Sequence, residues 1–231
     1  MRDAMVWKER INSNYLEDWM LIIILVSVIL IAYVRVRNHE VFATLTSSII
    51  NPKILTKEIT NQLGWTDLEK TLLLTVFFLV SSLFYTLILL YFFPQVTKQT
   101  TTFAFFAVFF VFSLFLYFIR LSILSIIQFI TGEYEFLQEY SFSIGQYFRF
   151  MGLVLLPLGL LIAIFPEDNV SLFIYPGLII LGIMYLVRIL RLITNSLKIE
   201  GGFFYIILYL CTFEFLPVLI AIHFLKVFLT R

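Results

Sequence analysis

The sequence predicts an all-α protein, a polytopic transmembrane bundle of about six spans, and two observations predict it. Of 231 residues, 61% are hydrophobic, 18% aromatic and only 13% charged, whereas soluble domains sit near half apolar and a quarter charged. The apolar residues are also gathered into runs that match the ~20 residues a helix needs to cross a hydrocarbon core of about 30 Å. In lipid every backbone N–H and C=O must be bonded within the chain, so such runs default to helices. The lipid bilayer and other membrane proteins are the expected partners. A formal charge of +1, without a clustered basic face, argues against nucleic acid.

The first span covers residues 19–36, with Trp19 and Tyr33 where interfacial aromatics sit and Arg35 and Arg37 ending it. The apolar run starts only behind the mixed-charge segment 1–18, and no small-residue cleavage pattern follows it, so a retained helix is expected rather than a cleaved signal. Residues 38–70 form the longest polar connection. Within it Val41, Phe42, Leu45 and Ile49 recur at helical spacing opposite Thr44, Ser47 and Ser48, and Pro52 ends the pattern. That spacing predicts a short amphipathic helix lying at the membrane surface; a plain loop is the alternative.

Thr66, Asp67, Leu68 and Glu69 have capping-box spacing and lead into the second span, 71–93. A polar turn then gives way to the third span, 102–120, extended to 130. Arg120 breaks this run, so the helix either tilts or leaves the membrane near Arg120 and continues with Ile123, Ile127 and Ile130 opposite Ser122, Ser125 and Gln128. Residues 132–140, with Glu133, Glu135 and Glu139, read as a solvated acidic loop. The fourth span, 141–165, carries Arg149 in its first half and Pro157 near its centre; spans five and six cover 170–193 and 203–226. All 231 residues form a single membrane domain in this reading. Of the 16 basic residues, Arg35, Arg37, Lys53, Lys57, Lys70, Arg120, Arg149, Arg188, Arg191 and Lys198 fall on one side and the remaining six on the other. The excess of basic residues marks the cytoplasmic side, which places both termini away from the cytoplasm.

The sixth run puts Glu214 near its own midpoint, with Pro217 one turn later. A carboxylate at bilayer depth costs a few kcal/mol and is normally paired, protonated or turned to a polar cavity. Pro217 removes a backbone donor and frees the carbonyl of Phe213. Arg120, Arg149 and Arg188 also intrude on apolar runs, all in one leaflet. Arg149 lies nearest in depth, so a Glu214–Arg149 pair is predicted, with Arg188 second and Arg120 third. Two roles compete: a permanent polar clamp between helices, or a titrating or cation-binding carboxylate tuned by an arginine. The clamp is favoured, because His223 lies on the opposite face of the same helix and no further acidic relay accompanies Glu214.

Catalytic signatures are missing. The single Cys211 forms no intrachain disulfide, and no Cys/His cluster or CxxC pair suggests a metal. Two histidines, His39 and His223, leave little general-base chemistry. A non-enzyme without cofactor is expected.

The segment YIILYLCTFEFLPVL that begins at Tyr205, with the Arg149 to Pro157 stretch of the fourth span, resembles a family of uncharacterised multi-pass proteins of Gram-negative bacteria. The resemblance implies a helical fold in the inner membrane and marks Cys211, Thr212, Glu214 and Pro217 as a family site. It implies no known activity. A compact bundle without large soluble domains, repeats or catalytic residues fits a subunit or assembly factor of an envelope or secretion machine, acting through helix–helix contacts. A small proton- or ion-coupled transporter using Glu214 is the alternative, and lipid or quinone handling between helices, resting on the 38–70 segment, a third.

Overall fold

Long apolar runs that must satisfy their own backbone form helices, and a computed structural model of the chain shows them over residues 17–39, 41–50, 67–93, 101–131, 134–164 and 170–196, the residues described. Six helices occur among them: α1 (Asp18–Arg37), α2 (Val41–Ile50), α3 (Asp67–Phe92), α4 (Thr102–Thr131), α5 (Tyr134–Ile164) and α6 (Val170–Ser196). The protein is an all-α helical bundle. Four helices carry stretches long and apolar enough to cross a membrane, Asp18–Arg37, Leu68–Phe92, Thr102–Ile126 and Phe142–Ile162. A shorter apolar stretch, Leu172–Val187, lies in α6. The expected sixth span, 203–226, lies outside the described residues. The chain divides into two compact units, Met1–Gly182 and Ile183–Arg231; of the second, the description covers only the continuation of α6 to Ser196.

Within the first unit α3 is the central helix. It packs against α1, α4 and α5, and 67% of its span is buried, against 22% for α1, 11% for α4 and 44% for α5. Lipid is as apolar as leucine, so helices associate through close packing rather than through the hydrophobic effect, and small residues allow the closest approach. Ser81, Ser82 and Thr86 sit buried in the middle of α3. Their hydroxyls donate to carbonyls of their own helix, Ser81 and Ser82 to Phe78 and Thr86 to Ser82 at 2.8 Å, so no polar atom is stranded. From α5, Gly152 meets the α3 backbone: a Cβ there would stand 2.8 Å from Phe77 Cα. Gly177 of α6 is pressed as closely against the Phe84 ring.

The core of the unit joins Met20 and Ile24 of α1 to Val76, Val80, Leu83, Phe84 and Leu87 of α3, with Leu155 and Ile162 of α5 and Ile174 of α6. At the end where α1 begins, Trp19 packs its ring against Phe103 and Phe106 of α4, each centroid 5.3 Å away. At the opposite end α2 is neither a plain loop nor a helix lying free on the membrane. Val41 and Leu45 are fully buried and join Val34, Leu73 and Leu153 in a second cluster. The Arg35 guanidinium covers the Phe42 ring at 5.0 Å.

Two boundaries differ from expectation. The acidic segment predicted as a loop over 132–140 is helical from Tyr134 onward, because glutamate is a good helix former and the polar composition alone does not break a helix. The polar connection predicted to reach Lys70 ends earlier, since α3 already starts at Asp67, where the capping-box spacing of Thr66 to Glu69 put a helix start. Glu69 and Lys70 therefore belong to a buried helix. The third run is one unbroken helix of 30 residues that passes Arg120 without interruption, and α5 runs through Pro157.

Gly152→Ala forces its methyl into the α3 backbone and is expected to destabilise the protein by about 1–3 kcal/mol, the usual range for overpacking. Gly159→Ala is its control: that Cβ would meet only Leu83 Cδ2, at 3.8 Å. Thermal unfolding in mild detergent should separate the two variants.

Candidate functional site

At the α2 end of the first unit the last turn of α1, the first turn of α3 and the early part of α5 meet, and their polar side chains form a small cluster. Glu69 is the third residue of α3, where the helix N-terminus favours a negative charge. It is 2% exposed, and its Oε1 lies 3.4 Å from Arg37 Nε. The last turn of α1 supplies Arg37, whose Nη1 also donates to Tyr33 Oη at 3.4 Å. The pair joins α1 to α3 and leaves the arginine side chain 45% exposed.

Arg149 provides the second fastening. Only 8% exposed, it donates from Nε to the carbonyl of Lys70 at 3.2 Å, which ties α5 to the start of α3. Its side chain runs back over the preceding turn of α5, where a Cβ on Gly145 would stand 3.4–3.6 Å from the guanidinium atoms. Tyr117 of α4 lies close enough to interact with this charge. Phe77, Phe148 and Tyr117 form an aromatic layer beside it, with Phe77 stacked on Phe148 at 4.8 Å and Tyr117 edge-on to Phe148 at 5.9 Å. Among the described residues two polar atoms of the cluster have no hydrogen-bond partner, Arg149 Nη1 and Gln146 Oε1. Gln146 is 2% exposed and stands three residues before Arg149, so the two occupy one face of α5.

Of the residues singled out in the sequence, Arg149 is buried in this cluster. Arg120 is partly buried on α4, one turn beyond Tyr117. Arg188 falls in the second unit with its side chain outside the description, and Glu214, Cys211, Thr212 and Pro217 all lie outside the described residues. Three members were missed by sequence reasoning. Arg37 and Glu69 sit at the facing ends of two antiparallel neighbours, a juxtaposition visible only once α1 and α3 are known to pack together. Gln146 is neutral, so a search for charges in apolar runs passes over it. Among the described residues no group of three or more His, Cys, Asp or Glu side chains could hold a metal ion. The arrangement neutralises one charge pair and holds a second cation against a carbonyl dipole.

Arg37→Ala takes a cationic partner from the buried Glu69 carboxylate and is expected to cost about 1–3 kcal/mol. The double variant R37A/E69L removes the carboxylate as well and should recover part of the loss. Unfolding of both variants in the same detergent checks the order.

Comparison with known proteins adds placement. No curated protein and no solved structure matches the chain significantly. Residues 20–225 match the family described as a domain of unknown function (DUF4271), a stretch that includes all the described helices apart from the first two residues of α1. The chain therefore belongs to the DUF4271 family of uncharacterised domains.

Proposed function

We propose that this protein is a non-enzymatic subunit or assembly factor of an envelope or secretion machine in the bacterial inner membrane, working through helix–helix contacts. The observation that carries the reading is the use made of the buried polar groups. Arg37–Glu69 binds α1 to α3 and Arg149–Lys70 binds α5 to α3, so these groups hold a fixed scaffold rather than face a substrate path. The scaffold leaves broad apolar faces outward, Leu21, Ile22, Leu25 and Ile29 on α1 and Val111, Phe115 and Phe118 on α4. Such faces suit lipid and the helices of a neighbouring membrane protein. The proposed orientation, with both termini away from the cytoplasm, puts the Arg149 end of the bundle on the cytoplasmic side.

A photocrosslinker placed at Val111 or Phe115 in growing cells is expected to give a discrete adduct with one membrane protein, while the same probe at buried Leu83 gives none. Lipid adducts alone at every outward position would defeat the reading. A second reading, a proton- or ion-coupled transporter using Glu214, is favoured by a buried guanidinium atom without a hydrogen-bond partner among the described residues, Arg149 Nη1. In proteoliposomes a proton or cation flux abolished by Glu214→Gln supports transport. A Glu214→Gln protein that loses only stability supports the scaffold.

A further inference from the structure

Glu69 is engaged by Arg37, so within the cluster Arg149 receives a backbone carbonyl where a guanidinium would ordinarily find an anion. A buried cation with an unmade hydrogen bond is costly, and Arg149 Nη1 is buried without one. On the same face Gln146 Oε1 is buried and also unpartnered. The guanidinium N–H asks for an acceptor and the amide oxygen for a donor, so one ligand carrying both kinds of group would satisfy the two. Their level is set by the helix. Arg149 stands seven residues past Phe142, where the span of α5 begins, or about 10 Å of helix rise. Its side chain runs back over Gly145 towards that boundary, as basic side chains do when they reach for the headgroup region.

We propose that Arg149 and Gln146 form a binding site for a phosphate group that carries its own hydrogen-bond donor. The phosphate accepts from Arg149 Nη1, and a hydroxyl or ammonium of the same ligand donates to Gln146 Oε1. Phosphatidylglycerol and phosphatidylethanolamine have this chemistry, and so does free glycerol phosphate. Phosphatidylcholine has the phosphate but no N–H or O–H to donate, and diacylglycerol lacks the phosphate.

The test is native mass spectrometry of the full chain in mild detergent, titrated with each of these lipids. Wild type is expected to retain phosphatidylglycerol and phosphatidylethanolamine above phosphatidylcholine, and diacylglycerol least. Arg149→Gln should weaken phosphatidylglycerol roughly tenfold, the worth of one charged hydrogen bond. Gln146→Leu should instead erase the margin over phosphatidylcholine and leave phosphatidylcholine itself unchanged. Should Arg149→Gln not fold, judged by helicity and elution, Arg149→Lys and Gln146→Leu carry the test. Displacement of phosphatidylglycerol by free glycerol phosphate identifies a soluble ligand at the same site, and failure to displace identifies the lipid. Diacylglycerol binding as well as phosphatidylglycerol overturns the proposal, as does an Arg149→Gln protein that binds like wild type. Phosphatidylglycerol binding that emerges only in Glu214→Gln also overturns it, because the carboxylate then occupies the place of the phosphate. That last result leaves the scaffold reading standing.

Discussion

The approach of α5 to α3 is the contact on which the rest of the first unit depends. At Gly152 the two helices meet backbone to side-chain root, with no room for a methyl group between them. That proximity brings Phe148 onto Phe77 and lets Arg149 reach the Lys70 carbonyl. In a medium where burial of apolar surface yields little between helices, dispersion at such a crossing and the polar contacts beside it supply the cohesion. α1 and α2 then assemble on the surface these two helices present, through Glu69 on one side and through Leu73 and Leu153 on the other.

Arg37 and Arg149 illustrate two ways of keeping a guanidinium close to lipid. Arg37 stays half in contact with solvent, so its pairing with Glu69 costs little desolvation on the cationic side. Arg149 is enclosed, and a carbonyl already bonded along its own helix is a weak counterpart for a full charge. An enclosed charge of this kind is uncommon unless something else completes it.

Much of the fold was readable from the apolar runs, because each run had to become a helix and its length had to suit the bilayer. Even α2 could be read from the spacing of Val41 and Leu45, although not its docking on α1 and α5, which depends on where Val34 and Leu153 come to lie. Errors arose where composition stood in for structure. Glu135 and Glu139 suggested a loop but lie in a helix, whereas the capping-box spacing of Thr66 to Glu69 pointed to a helix start that the structure places at Asp67. Arg149 was identified in advance since a cation in an apolar run is conspicuous. Gln146 escaped notice because its significance is positional: only the packing shows its amide oxygen buried without a donor among the described residues.

The lengths of α4 and α5 have one more consequence. At 30 and 31 residues each extends about 45 Å, well beyond a hydrocarbon core of about 30 Å. Their apolar stretches end at Ile126 and begin at Phe142, and only residues 132 and 133 separate the helices. The surplus of both therefore lies on either side of their junction, beyond the stretches suited to hydrocarbon. Glu135 and Glu139 fall within the surplus of α5, where a carboxylate escapes the cost it would carry at bilayer depth.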